Sequence, residues 1–86
     1  MRGRDLVGRN VRRVRVAKGI SQERLAFDAG VDRSYLGGME RGEANPTVDV
    51  LDRLALTLGI PLAALFEEFE KGAPAPQGLS PGRKPS

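Results

Sequence analysis

The side chains of this sequence best placed to do chemistry lie at the ends of two short apolar segments within residues 21–42, SQERLAFDAGVDRSYLGGMERG. Ser21 precedes a stretch in which Leu25, Ala26 and Ala29 recur at helical spacing. Its hydroxyl can accept from an unpaired N–H of a first turn, so Ser21 reads as an N-cap. Gly30 stands where the chain must reverse and a positive φ is cheap. Asp32 reads as the cap of a second helix, flanked by Val31 and Leu36 in the places of a hydrophobic staple. Arg33 then lies in that helix's first turn, where its guanidinium fork could pair with guanine O6 and N7. The alternative for Arg33 is a solvated side chain on a helix surface. Asp32 could accept from cytosine N4, but capping explains it better. Two short helices joined by a tight Gly turn form a helix-turn-helix, at about 22–41, and the usual work of its second helix is to lie in the DNA major groove.

Five helices are expected to position these residues. The first covers roughly 5–18, with Val7, Val11 and Val14 on one face and Gly19 closing it. The second and third cover 22–29 and 33–41, with Gly42 just past the end. Thr47, after Asn45 and Pro46, caps a fourth whose buried stripe is Val48, Leu51, Leu54, Ala55 and Leu58, and Gly59 ends it. Pro61 suits the first turn of a fifth helix reaching about residue 70, lined by Leu62, Leu65, Phe66 and Phe69. The fold class expected is all-α and compact. Residues 1–71 form the domain, and 72–86 form a tail rich in Pro, Gly and Ser that is too poor in apolar residues to order itself.

Composition narrows the function. The chain has 86 residues, enough for one domain with a modest core, so that self-association would help its stability. It has no Cys and no His, which excludes disulfides and thiolate metal sites and removes the commonest carriers of nucleophilic and acid–base catalysis. An enzyme is therefore not expected, nor a cofactor or metal. No apolar run approaches the roughly 20 residues of a membrane span and no signal peptide is evident, so a cytoplasmic protein without membrane contact is expected. The net charge of +3 hides an asymmetry. Residues 1–24 carry eight basic and two acidic side chains (+6), 25–70 three basic and nine acidic (−6), and the remainder +3. The basic end could face phosphates while the acidic end faces away. A solvated charged helix without a partner is the other reading.

Residues 7–69 resemble the Cro/CI-type (XRE-like) helix-turn-helix regulators, with a five-helix lambda-repressor-like domain. The resemblance is carried by Gly19-Ile20-Ser21-Gln22, Leu25-Ala26, Ala29-Gly30-Val31, Glu40-Arg41-Gly42, Asn45-Pro46-Thr47 and Leu58-Gly59-Ile60, in order and at family spacing. The segment RSYLGGMERGEANPT, with Ala26 and Phe27 upstream, leans toward the restriction–modification controller branch.

The resemblance implies site residues. Arg33, Ser34 and Gly38 match positions from which family members read bases, although Gly38 replaces a side chain that is often long and polar. Gln22 matches a glutamine that bonds a phosphate and braces the recognition helix, and Ser21 can contact a phosphate besides capping. Arg15 and Glu40 match an ion pair joining the first and third helices, which would also hold Arg15 near the phosphates. Asn45 and Arg41 match phosphate contacts in the loop, where Glu43 and Ala44 depart from a usually basic pattern. Tyr35 either donates to a phosphate or packs half-buried on a neighbouring helix. Phe27 is unexpected on the exposed side of the second helix. Gly37 and Gly38, mid-helix, weaken the helix by roughly 0.5–1 kcal/mol each relative to Ala. Either close backbone approach rewards that cost or the protein tolerates it.

These features imply a regulator binding double-stranded DNA at a palindromic operator as a homodimer, with two recognition helices about 34 Å apart. Val50, Leu56, Leu62, Leu65 and Phe69 offer apolar surface beyond what the core needs and are the expected dimer interface; the competing reading is that the fifth helix simply closes the monomer core. The alternative is an antitoxin or other module that engages a protein partner and binds DNA secondarily.

Overall fold

Helix boundaries in the computed structural model, which describes residues 2–68, fall where side chains and glycines satisfy the ends of the backbone. Helix α1 spans Gly3–Ala17, α2 Gln22–Ala29, α3 Arg33–Glu40 and α4 Val48–Leu58, followed by a 3-10 helix, Leu62–Phe66. Three N-caps repeat one device. The Ser21 hydroxyl accepts from the Arg24 N–H at 3.0 Å, the Asp32 carboxylate from Tyr35 at 3.0 Å, and the Thr47 hydroxyl from Val50 at 3.1 Å. Gly30 and Gly59 end α2 and α4 in the left-handed region, at φ 70° and 72°, which only glycine adopts without strain. No strand occurs among the described residues.

One core joins all five elements. Val7, Val11 and Val14 of α1 meet Leu25, Leu36, Met39, Leu51, Leu54 and Leu58, all buried, with Leu65 completing the cluster. Helix α1 packs on α3, on α4 and on the 3-10 helix, while α2 packs on α3 and α4. The α1–α3 crossing is close because Gly8 has no side chain. A Cβ there would run into the Met39 carbonyl oxygen and stand 3.1 Å from that of Glu40.

The fifth element corrects the sequence reading. It is a 3-10 helix of five residues rather than an α-helix continuing toward residue 70. The side chain of Asn10, wholly buried, donates to the carbonyls of Leu65 at 3.0 Å and Glu67 at 2.8 Å. Those are acceptors that a continuing helix would need for its own ladder. Glu67 is extended (φ −65°, ψ 131°), so the helical path has already ended there. Phe69 and the 72–86 tail lie outside the described residues.

Candidate nucleic-acid interface

The two motif helices are held by their shared apolar seam. Leu25, Ala26 and Ala29 of α2 are buried in one cluster with Leu36 and Met39 of α3. The turn between them is closed by the Val31 N–H, which donates to the Ala26 carbonyl at 2.9 Å. Burying Leu36, Gly37, Met39 and Glu40 turns the opposite face of α3 outward. Arg33 and Ser34 are exposed there, and Gly38 is half-exposed. Arg33 has no hydrogen-bond partner among the described residues, so its fork is available for an external acceptor.

The orientation of α3 is fixed by a polar knot. The Glu40 carboxylate accepts from Arg15 Nε at 2.7 Å, from Arg15 Nη2 at 3.0 Å and from Gln22 Nε2 at 2.9 Å. Arg15 Nη1 donates to the Ile20 carbonyl at 2.8 Å. The pair is well covered, with side-chain exposures of 11% for Arg15 and 2% for Glu40. One carboxylate thus ties α3 to α1 and to the first residue of α2. The fork-on-carboxylate geometry fixes direction as well as distance. Arg15 is consequently committed inside the protein. Gln22 is braced at the N-terminus of α2, where free N–H groups and the dipole favour an anion.

The other expected residues scatter around this centre. Ser21 is exposed but its hydroxyl is engaged as a cap. Tyr35 is half-buried against the core. Asn45 is exposed in the loop after α3, and Arg41 pairs with Glu43 at 3.2 Å with both side chains exposed. Phe27 points away from the core at 81% exposure. At the amino end of α1, a hydrogen bond from Arg2 holds the Asp5 carboxyl below its usual range and raises the Arg2 guanidinium in return.

Of the apolar residues expected at an interface, Leu56 is 82% exposed on α4, and Val50 and Leu62 are half-buried. Leu65 is not available: it is fully buried in the core. The sequence reading also passed over Gly8 and Asn10. A glycine within an otherwise regular amphipathic helix was a visible signal for Gly8. Asn10 had no such signal, because its partners are backbone carbonyls 55 and 57 residues away. Among the described residues no cluster could hold a metal ion, and no helix is long and apolar enough to cross a membrane.

Residues 11–65 match the family model described as "Helix-turn-helix". An uncharacterized HTH-type transcriptional regulator of Sinorhizobium fredii, y4dJ, is 46% identical over 57 residues, covering 66% of this chain and 74% of the relative. The crystal structure of the restriction–modification controller protein C.AhdI from Aeromonas hydrophila is also similar. It is 46% identical with a TM-score of 0.71, over 73% of this chain and 96% of that one. The controller protein C.Esp1396I, solved as a tetramer in complex with its natural 35 base-pair operator, is 29% identical with a TM-score of 0.70, over 77% and 87% of the two chains.

Proposed function

The chain belongs to the helix-turn-helix family of XRE-like DNA-binding transcriptional regulators, and on that premise we propose that it acts as a homodimer on a palindromic operator. Helix α3 is the recognition helix, and two copies enter successive major grooves. The observation that carries this reading is the contrast along α3. Its inner end is tied by Glu40 to two other helices, while the side chain of Arg33 in its outward first turn has no partner among the described residues. A rigidly held helix offering an unengaged guanidinium is what direct readout of guanine requires.

Positioning on the duplex falls to groups that meet phosphates. Gln22 and the free N–H groups at the start of α2 supply one contact, with Ser21 beside them, and Asn45 and Tyr35 supply others. Dimerisation uses Leu56, Val50 and Leu62, and the assembly of C.Esp1396I on its operator supports several copies acting on one DNA. The DNA-binding unit is residues 1–71, working in the cytoplasm.

Selection of bound fragments from random DNA tests the proposal. A palindrome with half-sites about 10–10.5 base pairs apart, or a multiple of that, is the expected result. With Arg33→Ala, discrimination at one base pair per half-site should fall by about 1–3 kcal/mol. An unchanged preference at every position would remove Arg33 from base reading, and selection of single, non-repeated half-sites would remove the dimer.

A further inference from the structure

We infer that Arg41 is a second base-reading residue of α3, seated on the bare backbone of Gly37 and Gly38, rather than a clamp on a flanking phosphate. The inference rests on the DNA-binding reading above. Residues 33, 34, 38 and 41 lie on the outward side of α3, and buried Gly37 lies at its edge. Arg41 closes α3 with nearly helical backbone angles (φ −89°, ψ 0°), so its side chain runs back over the preceding turn. The glycine geometry shows where it lies. A Cβ built on Gly37 would stand 3.3 Å from Arg41 Nη1, and one on Gly38 3.9 Å from Arg41 Nη2. The same point at Gly37 is 3.6 Å from Gln22 Oε1, so the braced amide and the guanidinium meet over this residue.

This accounts for Gly37, where a Cβ would crowd the guanidinium, in a helix that glycine weakens; at Gly38 a Cβ would make only ordinary contact. The outward face of α3 then carries a donor fork in its middle although position 38 itself has no side chain. One edge of the fork stands over Gly38, beside Ser34 on the outward face of α3, and the other meets Gln22, so it lies between the bases and the phosphate expected at the start of α2. Its hold by Glu43 is an exposed pair at 3.2 Å, of the weak kind that gives way to a better acceptor. Gly37 is one turn from Arg33, about 6 Å along the axis. At roughly 3.4 Å per base step, the two forks address base pairs about two steps apart.

The test is selection on random DNA with the full chain and its Arg33→Ala, Arg41→Ala and Gly37→Ala variants, each first melted by circular dichroism. Arg41→Ala should reduce discrimination roughly 5- to 150-fold at a base pair about two steps from the one lost with Arg33→Ala. Gly37→Ala should melt no lower than the wild type yet weaken the preference at the same base pair as Arg41→Ala by a smaller factor, because a methyl 3.3 Å from Nη1 shifts the guanidinium by a few tenths of an ångström. Arg41→Lys should not restore the preference, since an ammonium lacks the fork. A common weakening on all sequences by Arg41→Ala, with the salt slope reduced by about one, would make it a phosphate contact and overturn the inference. So would an unaltered base preference in Gly37→Ala, or a lower melting temperature that makes the glycine a packing requirement. Failure of the wild type to select any motif is a separate result: it overturns the DNA-binding reading, and this inference with it.

Discussion

Replacing Glu40 with Ala should destabilise the domain more than any surface change, and the amount follows from the knot it holds. The substitution removes the acceptor of three hydrogen bonds, at 2.7, 3.0 and 2.9 Å. What remains is a guanidinium only 11% exposed, still bonded to the Ile20 carbonyl but without its counter-charge. Breaking a buried pair by deleting one partner costs about 3–5 kcal/mol. The Ile20 bond and the small exposed edge of Arg15 place the cost near the lower end, at about 3 kcal/mol. At about 0.05–0.15 kcal/mol per residue, a unit of this size has roughly 3–10 kcal/mol in total. Each kcal/mol is about 4–8 °C for so small a domain, so the melting temperature should fall by about 12–24 °C. The companion variant Arg15→Met with Glu40→Leu removes both charges, and most of the loss should return because no ion is left stranded. Thermal melts and urea titrations of the wild type, Arg15→Met, Glu40→Leu and the double variant give the coupling directly. A loss below about 1 kcal/mol in Glu40→Ala, or a double variant no more stable than the single, would refute the account of a covered and mutually dependent pair.

Three further outcomes are expected. Gly8→Ala should cost about 1–3 kcal/mol in urea unfolding although alanine is the better helix former, because its methyl meets the Met39 carbonyl; an equal or higher midpoint would contradict this. Asn10→Ala should cost about 1–3 kcal/mol by leaving the Leu65 and Glu67 carbonyls without their donor. It should also speed hydrogen exchange in residues 62–67 more than in α3, and uniform exchange would argue against a local clamp. Leu56→Glu, at a position 82% exposed, should leave the monomer's stability within about 0.5 kcal/mol while lowering the sedimentation coefficient of the associated form; an unchanged association state would exclude Leu56 from the interface.

Much of the fold was legible because its signals are local. Ser21, Asp32 and Thr47 cap the helices they precede, since a cap needs only a short polar side chain and a free N–H three residues on. Val7, Val11 and Val14 of α1 and Leu51, Leu54, Ala55 and Leu58 of α4 face the core that their spacing implied, whereas Val48, expected in the same stripe, is exposed in the first turn of α4. The fifth helix was misjudged because its apolar spacing suits an α-helix, whereas its course is decided by Asn10 from the far end of the chain. The same distance explains Leu65. Spacing shows that a leucine faces inward somewhere, but only the packing of the 3-10 helix on α1 shows that the inside is this chain's own core. At the candidate site, the motif identified which residues cluster on α3. It could not show that the Gln22 amide is engaged by Glu40, or that Arg41 lies back over two glycines.

The central place of α1 has a consequence for the order of events during synthesis. It is made first, yet its packing partners are α3, α4 and the 3-10 helix, all made later. Asn10 must wait for an acceptor 55 residues downstream. At about 5–20 residues per second, that wait is roughly 3–11 s. Until α3 and α4 follow within that time, Val7, Val11 and Val14 form an apolar stripe without the partners that cover it in the fold. Arg9, Arg12, Arg13 and Arg15 interleave with those valines, a charge pattern that keeps a transiently bare apolar segment from pairing with other nascent chains. The basic residues of α1 thus protect the helix on its way to the fold, whatever else they meet once it is complete.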